Sequence, residues 1–255
     1  MIRVTQDSEL SKITIDRPDR RNALNWDMIG ALGDAIAESD AAPHCHCIVI
    51  KGTSGHFCAG RDLDAAGVAG ALVPALEADT AWTRIFHLLH RAATPTVAVV
   101  EGFAVAGGFT LAMSCDFVLA EKGARFGAME MQNGFPAAIN TPVLSKLVGP
   151  RLALELLVFG DLVDAERLYG MGLINRLVED SAMLVETETA FVERLLERDS
   201  HAVALTKESH RAAVNMPLDD ALAMGKQLNT LIAASGRLEE AAKTFADKQK
   251  ARKKS

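Results

Sequence analysis

Two short glycine-containing turns are the segments of this sequence best suited to chemistry. Residues 56–63 read His-Phe-Cys-Ala-Gly-Arg-Asp-Leu and follow the apolar run 47–50. Residues 101–108 read Glu-Gly-Phe-Ala-Val-Ala-Gly-Gly and follow a second apolar run, 96–100. Two such turns, each placed after a buried strand, can direct two backbone N–H groups at one point. Paired N–H donors of this kind stabilise the negative charge that develops on a carbonyl oxygen during a reaction.

The glycines of the second turn do not form a nucleotide-binding fingerprint. Gly102, Gly107 and Gly108 follow a strand and open a helix, but they lack the spacing G-x-G-x-x-G. We expect Gly107 at a helix N-terminus, where its N–H has no partner within the helix and the helix dipole favours negative charge. The turn therefore predicts a position that stabilises an anion rather than a dinucleotide site.

Two cysteine-containing segments are interpreted as structural rather than as a metal site or a nucleophile. The cluster His44-Cys45-His46-Cys47 is isolated, whereas zinc sites with such short spacings need a second pair of ligands downstream. We therefore predict no metal site. Cys58 follows an apolar residue in a tight turn, so we expect it to pack in the interior rather than act as a nucleophile.

Alternating strands and helices are predicted to position the two turns. Residues 1–5 and 10–16 are β-prone and flank a polar turn, which indicates a hairpin. Asn25 is a suitable N-cap for a helix whose apolar residues recur at helical spacing. The further predicted elements are a strand at 47–51, a helix at about 77–92, a strand at 96–100, a helix at about 107–114 and a strand at 117–120. Such alternation is typical of parallel strands joined by helical crossovers, so we predict an α/β fold.

From Asn140 onward the sequence pattern is mostly helical. The predicted elements are a short helix capped by Asp164 and ended by Gly170 and Gly172, a strand at 173–178, and helices at 183–198, 200–214 and 218–249. Pro217 separates the last two helices. We predict two parts, a core of residues 1–195 that contains the site and a helical region of residues 196–255.

The composition excludes several classes of protein. The chain is 49% apolar and 24% charged, which is typical of a globular protein. It has no apolar run long enough to span a membrane, no signal-peptide pattern, and four cysteines that do not suggest a disulfide framework. We therefore expect a soluble, cytoplasmic protein. A net charge of −6 argues against general nucleic-acid binding, although the last eight residues carry five cations, which indicate either a solvated tail or a phosphate contact.

With these residues assembled, the sequence resembles the crotonase family, also called the enoyl-CoA hydratase/isomerase superfamily. The resemblance covers about residues 1–180, and the helical remainder is similar to the family's trimerisation region. The motifs that carry it, in chain order, are Ile15-Asp16-Arg17-Pro18, Arg21-Asn22-Ala23-Leu24-Asn25, Ile48-Val49-Ile50-Lys51-Gly52, Phe57-Cys58-Ala59-Gly60-Arg61-Asp62-Leu63, Pro95-Thr96-Val97-Ala98, Gly107-Gly108, Cys115-Asp116, Ala124-Arg125-Phe126-Gly127, Glu130, and Ala165-Glu166 with Gly172-Leu173-Ile174-Asn175. Their order and spacing identify the family.

The resemblance implies a role for particular residues. The backbone N–H groups of Arg61 and Gly107 would form the oxyanion hole, and Glu130 would be the catalytic acid and base. The coenzyme A part of the substrate would be bound by Arg21, Ala23, Cys58, Ala59 and Gly60, with Lys248 reaching a phosphate. Asp62, Thr110 and Phe135 are also placed among the substrate-binding residues. We expect Asp62 to brace its turn by hydrogen bonds rather than react, and Thr110 and Phe135 to line the acyl site. No cofactor is expected beyond the coenzyme A of the substrate.

Two features depart from the family pattern. Hydratases of the family typically hold two glutamates, and Thr110 stands at the position of the first of them, three residues after the oxyanion glycine. A 1,3 proton shift needs one base only, whereas addition of water benefits from two carboxylates, so this departure favours isomerisation without excluding hydration. The family loop Gly-x-x-Pro-Gly-x-Gly-Gly is shortened here to residues 134–141, which lack its later glycines. Phe135 and Ile139 are therefore expected to alter the acyl pocket.

We thus predict a crotonase-like α/β spiral of ββα units with a helical C-terminal trimerisation region. The expected function is hydration or double-bond isomerisation of an enoyl-CoA thioester, within fatty acid metabolism, by a homotrimer or a dimer of trimers. Three alternatives stay open: another reaction of the family, such as decarboxylation, dehalogenation or thioester hydrolysis; a coenzyme A-binding protein without activity; and RNA binding by the basic tail. No nucleic-acid partner and no membrane span are expected.

Overall fold

The computed structural model describes residues 1–62, 72–237, 239 and 242–243. The chain divides into two units, Met1–Val203 and Ala204–Ser255. The first unit contains both β-sheets, and the functional division at residue 195 stays a prediction. Within the described ranges, no helix is both long enough and apolar enough to cross a membrane.

Strands and helices alternate along the first unit. The strands are β1 Ile2–Asp7, β2 Leu10–Ile15, β3 Cys47–Gly52, β4 Thr96–Val100, β5 Phe103–Val105, β6 Phe117–Glu121, β7 Arg125–Gly127, β8 Val163–Asp164 and β9 Arg176–Val178. The α-helices are α1 Trp26–Ala41, α2 Leu72–Arg91, α3 Gly107–Ser114, α4 Asn140–Leu147, α5 Pro150–Phe159, α6 Ala165–Gly170, α7 Ser181–Leu196, α8 Ser200–Ala213 and α9 Leu218–Ala234.

The larger sheet has the strand order β1-β2-β3-β4-β6-β9. Its first two strands form the predicted antiparallel hairpin, and every later pair in it is parallel, as the alternation of strands and helices predicts. Strands β3 and β4 are buried on both faces, which explains their uninterrupted apolar sequences. One face packs into the main core through Ile48, Ile50, Ala98 and Val100. The opposite face packs into a smaller core through Cys47, Val49, Val97 and Val99.

A second sheet, of strand order β5-β7-β8, was not predicted. Its strands have only two or three residues, which is too short for a period-two pattern to be recognised in the sequence. Strand β5 follows β4 directly and β7 follows β6, so from β4 to β7 the chain passes twice from the large sheet to the small one. This repeated step of two strands, one in each sheet, gives the predicted spiral of ββα units, and β5 carries the second glycine turn beside β7.

The helices confirm some sequence predictions and correct others. The Asn25 side chain caps α1 by accepting a hydrogen bond from the Met28 N–H at 2.9 Å, as predicted. Helix α2 begins at Leu72, five residues before the predicted start. Helix α9 ends at Ala234, so the prediction of one continuous helix over residues 218–249 is wrong at positions 235 and 236. Residues 237, 239, 242 and 243 are helical again, and residues 244–249 of the predicted helix lie outside the described residues. Gly236, with φ of +79°, adopts a left-handed conformation that interrupts helical geometry just beyond that end.

Two predictions near the end of the spiral also need correction. Asp164 occupies the N-cap position of α6, but its side chain makes no capping hydrogen bond. Its carboxylate instead forms an ion pair with Arg125, at 2.8 Å. The last strand of the large sheet begins at Arg176 rather than at residue 173. Asn175 precedes it and pairs through its side chain, because its Oδ1 accepts a hydrogen bond from the Val118 N–H at 2.8 Å.

Candidate active site

The first turn pairs with strand β5 and is thereby placed against the second turn. The N–H of Cys58 donates to the Phe103 carbonyl at 3.0 Å, and the N–H of Val105 donates to the Cys58 carbonyl at 3.1 Å. These bonds bring Gly60 onto Gly107, so closely that a Cβ atom at Gly60 would lie 2.7 Å from the Gly107 nitrogen. The structure therefore brings together the two turns that the sequence singled out.

The backbone amides of Arg61 and Gly107 are the two donors predicted for the oxyanion hole. Leu24 binds the backbone on either side of Arg61: its N–H donates to the Gly60 carbonyl and its carbonyl accepts from the Asp62 N–H, each at 2.8 Å. Gly107 is the first residue of α3, where an N–H has no intrahelical acceptor. Across the part of the chain that the structure describes, neither amide meets a hydrogen-bond acceptor. Two rigidly held donors are what stabilisation of an oxyanion requires.

The residue before Gly107 holds a strained backbone conformation. Ala106 has φ of +49° and ψ of −124°, which a residue with a side chain rarely adopts. Such a conformation costs about 1–3 kcal/mol and persists where the surroundings fix it. Here the Ala106 N–H donates to the Gly127 carbonyl at 2.7 Å, and the Ala106 carbonyl accepts from the N–H groups of Phe109 and Thr110. The strain therefore sets the direction of the following peptide, whose N–H belongs to Gly107.

Helix α2 covers the second turn through Trp82, a residue that the sequence analysis did not assign to the site. A Cβ atom added at Gly107 would lie 2.4 Å from Trp82 Cζ2. Trp82 is buried and packs edge-on against Phe86, with ring centroids 5.0 Å apart. Because the indole ring is packed against Phe86, it cannot easily move away from an added Cβ atom. Position 107 therefore requires glycine.

Gly108 tests how tightly the turns pack. A Cβ atom there would lie 2.0 Å from the backbone oxygen of Cys58, which neither side-chain rotation nor a small shift can relieve. We expect Gly108→Ala to lower the free energy of unfolding by about 1–3 kcal/mol. Gly170→Ala is the matched control, because no atom lies within 4 Å of its added Cβ. Urea denaturation followed by circular dichroism measures both, and equal stability of the two variants would contradict the packing described here.

Glu130 lies in the 3₁₀ helix Met129–Asn133, which follows β7. Its side chain is half-buried, and its Oε1 accepts a hydrogen bond from Asn140 Nδ2 at 2.9 Å. Burial raises the pKa of the Glu130 carboxyl, while hydrogen bonds from its own backbone and from Asn140 partly lower it. Its Oε2 is buried and has no hydrogen-bond partner among the described residues. A carboxyl group with a raised pKa is suited to taking and returning a proton.

The other acyl-site residues differ in their exposure. Thr110 is buried in α3, and its Oγ1 has no hydrogen-bond partner within the described ranges. A hydroxyl group so placed can bind a water molecule or a substrate atom. Phe135 is 39% exposed, whereas Ile139 packs partly against the main core. The shortened loop therefore presents one aromatic side chain outward and directs one aliphatic side chain inward.

The residues of the first turn are held by specific contacts. The Asp62 carboxylate forms an ion pair with Arg17 at 2.7 Å, which braces the turn. Burial raises the pKa of the Cys58 thiol to about 12, so this thiol stays protonated, and its sulfur accepts a hydrogen bond from the Gly60 N–H at 3.3 Å. The Arg61 guanidinium pairs with Asp79 at 2.8 Å. The Arg61 side chain thus contacts α2, while its N–H meets no acceptor in the part of the chain that the structure describes.

The predicted coenzyme A-binding residues lie beside the first turn. The Arg21 carbonyl accepts a hydrogen bond from the Ala59 N–H at 3.1 Å. The Arg21 guanidinium lies 5.8 Å from the centre of the Phe103 ring. The Ala23 carbonyl accepts from Arg17 Nη1 at 3.1 Å. Lys248, the predicted phosphate contact, lies outside the described residues.

Fold and site together define a class of protein. It is an α/β protein in which two backbone amides and one carboxyl group with a raised pKa are built around the same strained turn. Paired amides of this kind can stabilise an oxyanion and such a carboxyl group can move a proton, which are the two requirements of proton transfer next to a carbonyl group.

Comparison with known proteins places the chain within one family. A family model described as enoyl-CoA hydratase/isomerase matches residues 5–255. The crotonyl-CoA hydratase of Syntrophomonas wolfei subsp. wolfei is 31% identical over 248 residues, 96% of this chain and 95% of that protein. The short-chain-enoyl-CoA hydratase of Clostridium acetobutylicum is 28% identical over 247 residues, 96% and 94% of the two chains.

Solved structures agree with the sequence comparisons. The crystal structure of an enoyl-CoA hydratase from Mycobacterium smegmatis matches with a TM-score of 0.85 and 27% identity, covering 94% of this chain and 96% of that chain. The chain therefore belongs to the enoyl-CoA hydratase/isomerase family and is an enzyme with the crotonase fold.

Proposed function

We propose that this enzyme acts on an enoyl-CoA thioester through an enolate held by the Arg61 and Gly107 amides, with Glu130 as acid and base. The observation that carries the proposal is the half-buried carboxyl group of Glu130, which Asn140 links to the strained turn that precedes Gly107. The coenzyme A part would lie along the first turn and Arg21. No separate cofactor takes part in this chemistry.

Hydration is the first candidate reaction, and the names of the similar hydratases support it. The two amides withdraw electrons from the thioester carbonyl and so make C3 of a 2-enoyl thioester electrophilic. The Glu130 carboxylate takes a proton from water while the hydroxide part bonds to C3. The same carboxyl group then returns that proton to C2 of the enolate. The buried hydroxyl group of Thr110 is a suitable partner for the water.

Isomerisation is the second candidate, and Thr110 favours it because a threonine hydroxyl cannot replace a carboxylate as a base. In this reaction Glu130 removes a proton from C2 of a 3-enoyl thioester. The enolate spreads its charge onto the thioester oxygen, where the two amides stabilise it. Glu130 then delivers the proton to C4, and the double bond moves into conjugation with the carbonyl group.

Mass spectrometry combined with absorbance spectroscopy separates the two reactions. Crotonyl-CoA represents the 2-enoyl thioesters and 3-hexenoyl-CoA the 3-enoyl thioesters. Hydration predicts a product heavier by the mass of one water molecule, whereas isomerisation predicts new absorbance of a conjugated thioester at constant mass. Release of free coenzyme A would indicate hydrolysis, and an absence of turnover with both classes of thioester would contradict the proposal.

Assembly and location form part of the same proposal. We expect a homotrimer or a dimer of trimers, because the family's helical C-terminal region is a trimerisation region, and we expect a cytoplasmic protein. Light scattering coupled to gel filtration measures the assembly, and a monomer at micromolar concentration would contradict it.

A further inference from the structure

Asn140 makes a contact with Glu130 that the sequence did not indicate. It is the first residue of α4 and is completely buried. Its Nδ2 atom donates one hydrogen bond to Glu130 Oε1 at 2.9 Å and another to the Ala106 carbonyl oxygen at 3.1 Å. One buried amide group therefore joins the carboxyl group to the residue that precedes the Gly107 amide.

The chemistry of the two partners determines how the Asn140 amide is oriented. A backbone carbonyl oxygen only accepts hydrogen bonds, and Glu130 accepts through Oε1 when it is ionised. Both contacts therefore require the NH₂ end of the side chain, and a flipped amide would place an oxygen against two oxygens. The opposite end, Asn140 Oδ1, is buried and has no hydrogen-bond donor among the described residues.

The link has an electrostatic consequence for Glu130. Hydrogen bonds to a carboxylate favour its ionised form, so Asn140 lowers the pKa of Glu130 against the opposing effect of burial. Removal of this donor would leave the burial effect less opposed. The carboxyl group would then need a higher pH to become the base.

We propose that Asn140 is a positioning residue, which holds the carboxyl group of Glu130 at a fixed place relative to the oxyanion turn. This inference rests on the proposed function, because it assumes that Glu130 transfers the proton. Asn140 acts through Glu130 and through the Ala106 carbonyl. Its contribution is greatest in the step where the carboxylate must be ionised and correctly aimed.

The pH dependence of turnover tests this role. In Asn140→Ala we expect the acidic limb of the profile of kcat against pH to move to higher pH, because a buried carboxylate loses its donor. We also expect kcat at neutral pH to fall by about 10- to 100-fold, the usual effect of losing a hydrogen bond to a charged group. KM for the thioester should change little. Asn140→Asp keeps the size of the side chain and should move the limb in the same direction, since two neighbouring carboxylates oppose each other's ionisation.

Asn133→Ala is the matched control. Asn133 lies in the same 3₁₀ helix as Glu130 and donates to the Met129 carbonyl at 3.1 Å, but it is exposed. We expect it to keep the wild-type kcat and pH profile. Circular dichroism and binding of butyryl-CoA, a saturated thioester, establish that each variant is folded and binds ligand.

The outcomes distinguish this inference from the proposed function. A loss of kcat in both Asn140 variants without movement of the acidic limb would mean a structural role and would overturn the positioning role, as would wild-type kinetics. If Asn140→Ala fails to fold, the Asn140→Asp profile decides. If Glu130→Gln keeps wild-type turnover, the proposed base and the role of Asn140 are both wrong. If Glu130→Gln is inactive while the limb of the Asn140 variants stays in place, only the role of Asn140 is wrong.

Discussion

Replacement of Glu130 by glutamine should lower kcat by about 10²- to 10⁴-fold, which is the usual contribution of a positioned acid–base group. Glutamine preserves the size of the side chain, and its amide oxygen can still accept the hydrogen bond from Asn140. What it lacks is the ability to take a proton from water or from carbon. Binding of butyryl-CoA should therefore stay close to wild type while turnover of enoyl thioesters falls.

A second glutamate provides the control for this result. Glu155 is exposed on α5 and pairs with Arg167, so Glu155→Gln should leave turnover unchanged. Steady-state kinetics on both variants, with calorimetry for butyryl-CoA, separate a chemical effect from a binding effect. A Glu130→Gln enzyme with nearly wild-type kcat would show that another group is the base.

The second large effect is expected from Arg61→Pro. Proline has no N–H, so the variant loses one of the two proposed oxyanion donors, and loss of one such donor typically lowers kcat by about 10²- to 10³-fold. The Arg61 N–H donates to no acceptor within the described ranges, so proline removes no structural hydrogen bond there. Position 107 is less suitable for this test, because any added side-chain atom would collide with Trp82.

Arg61→Ala is the matched variant, since it removes the same guanidinium contacts and keeps the N–H. In the wild type the guanidinium forms an ion pair with Asp79, and its Cζ atom lies 5.5 Å from the centre of the Trp26 ring. We expect Arg61→Ala to keep kcat within a few-fold of wild type. Thermal denaturation checks that the two variants are comparably stable. Equal turnover of the alanine and proline variants would show that the Arg61 N–H is not an oxyanion donor.

Much of the fold could be predicted because long elements have strong patterns. The hairpin, the buried runs of β3 and β4, and α1 with its cap at Asn25 all depend on local composition and spacing. The small sheet could not be predicted, because its short strands are defined by pairing partners distant in the chain. The end of α9 was missed since the apolar pattern continues past Gly236, whose left-handed backbone only the structure reveals.

The candidate site was predictable to a similar degree. Glycine spacing and family resemblance indicated Arg61, Gly107 and Glu130, and the structure places the two turns in contact. The sequence indicated Asn140 only as part of a loop that lacks the family's glycines. Its contact with Glu130 could not be predicted, since its two hydrogen bonds depend on where α4 begins. Nothing in the sequence indicates the strain at Ala106, because alanine is compatible with almost any element.

The contact between Gly60 and Gly107 links the appearance of activity to the folding of the chain. The two proposed donors come from segments distant in the chain, and they meet only after the chain between them has folded and β5 has paired with the first turn. A fragment or partly folded intermediate that contains only one of the two donors therefore has no working oxyanion hole. Catalysis should appear late during refolding, together with the tertiary contacts of the small sheet and after most helical structure has formed.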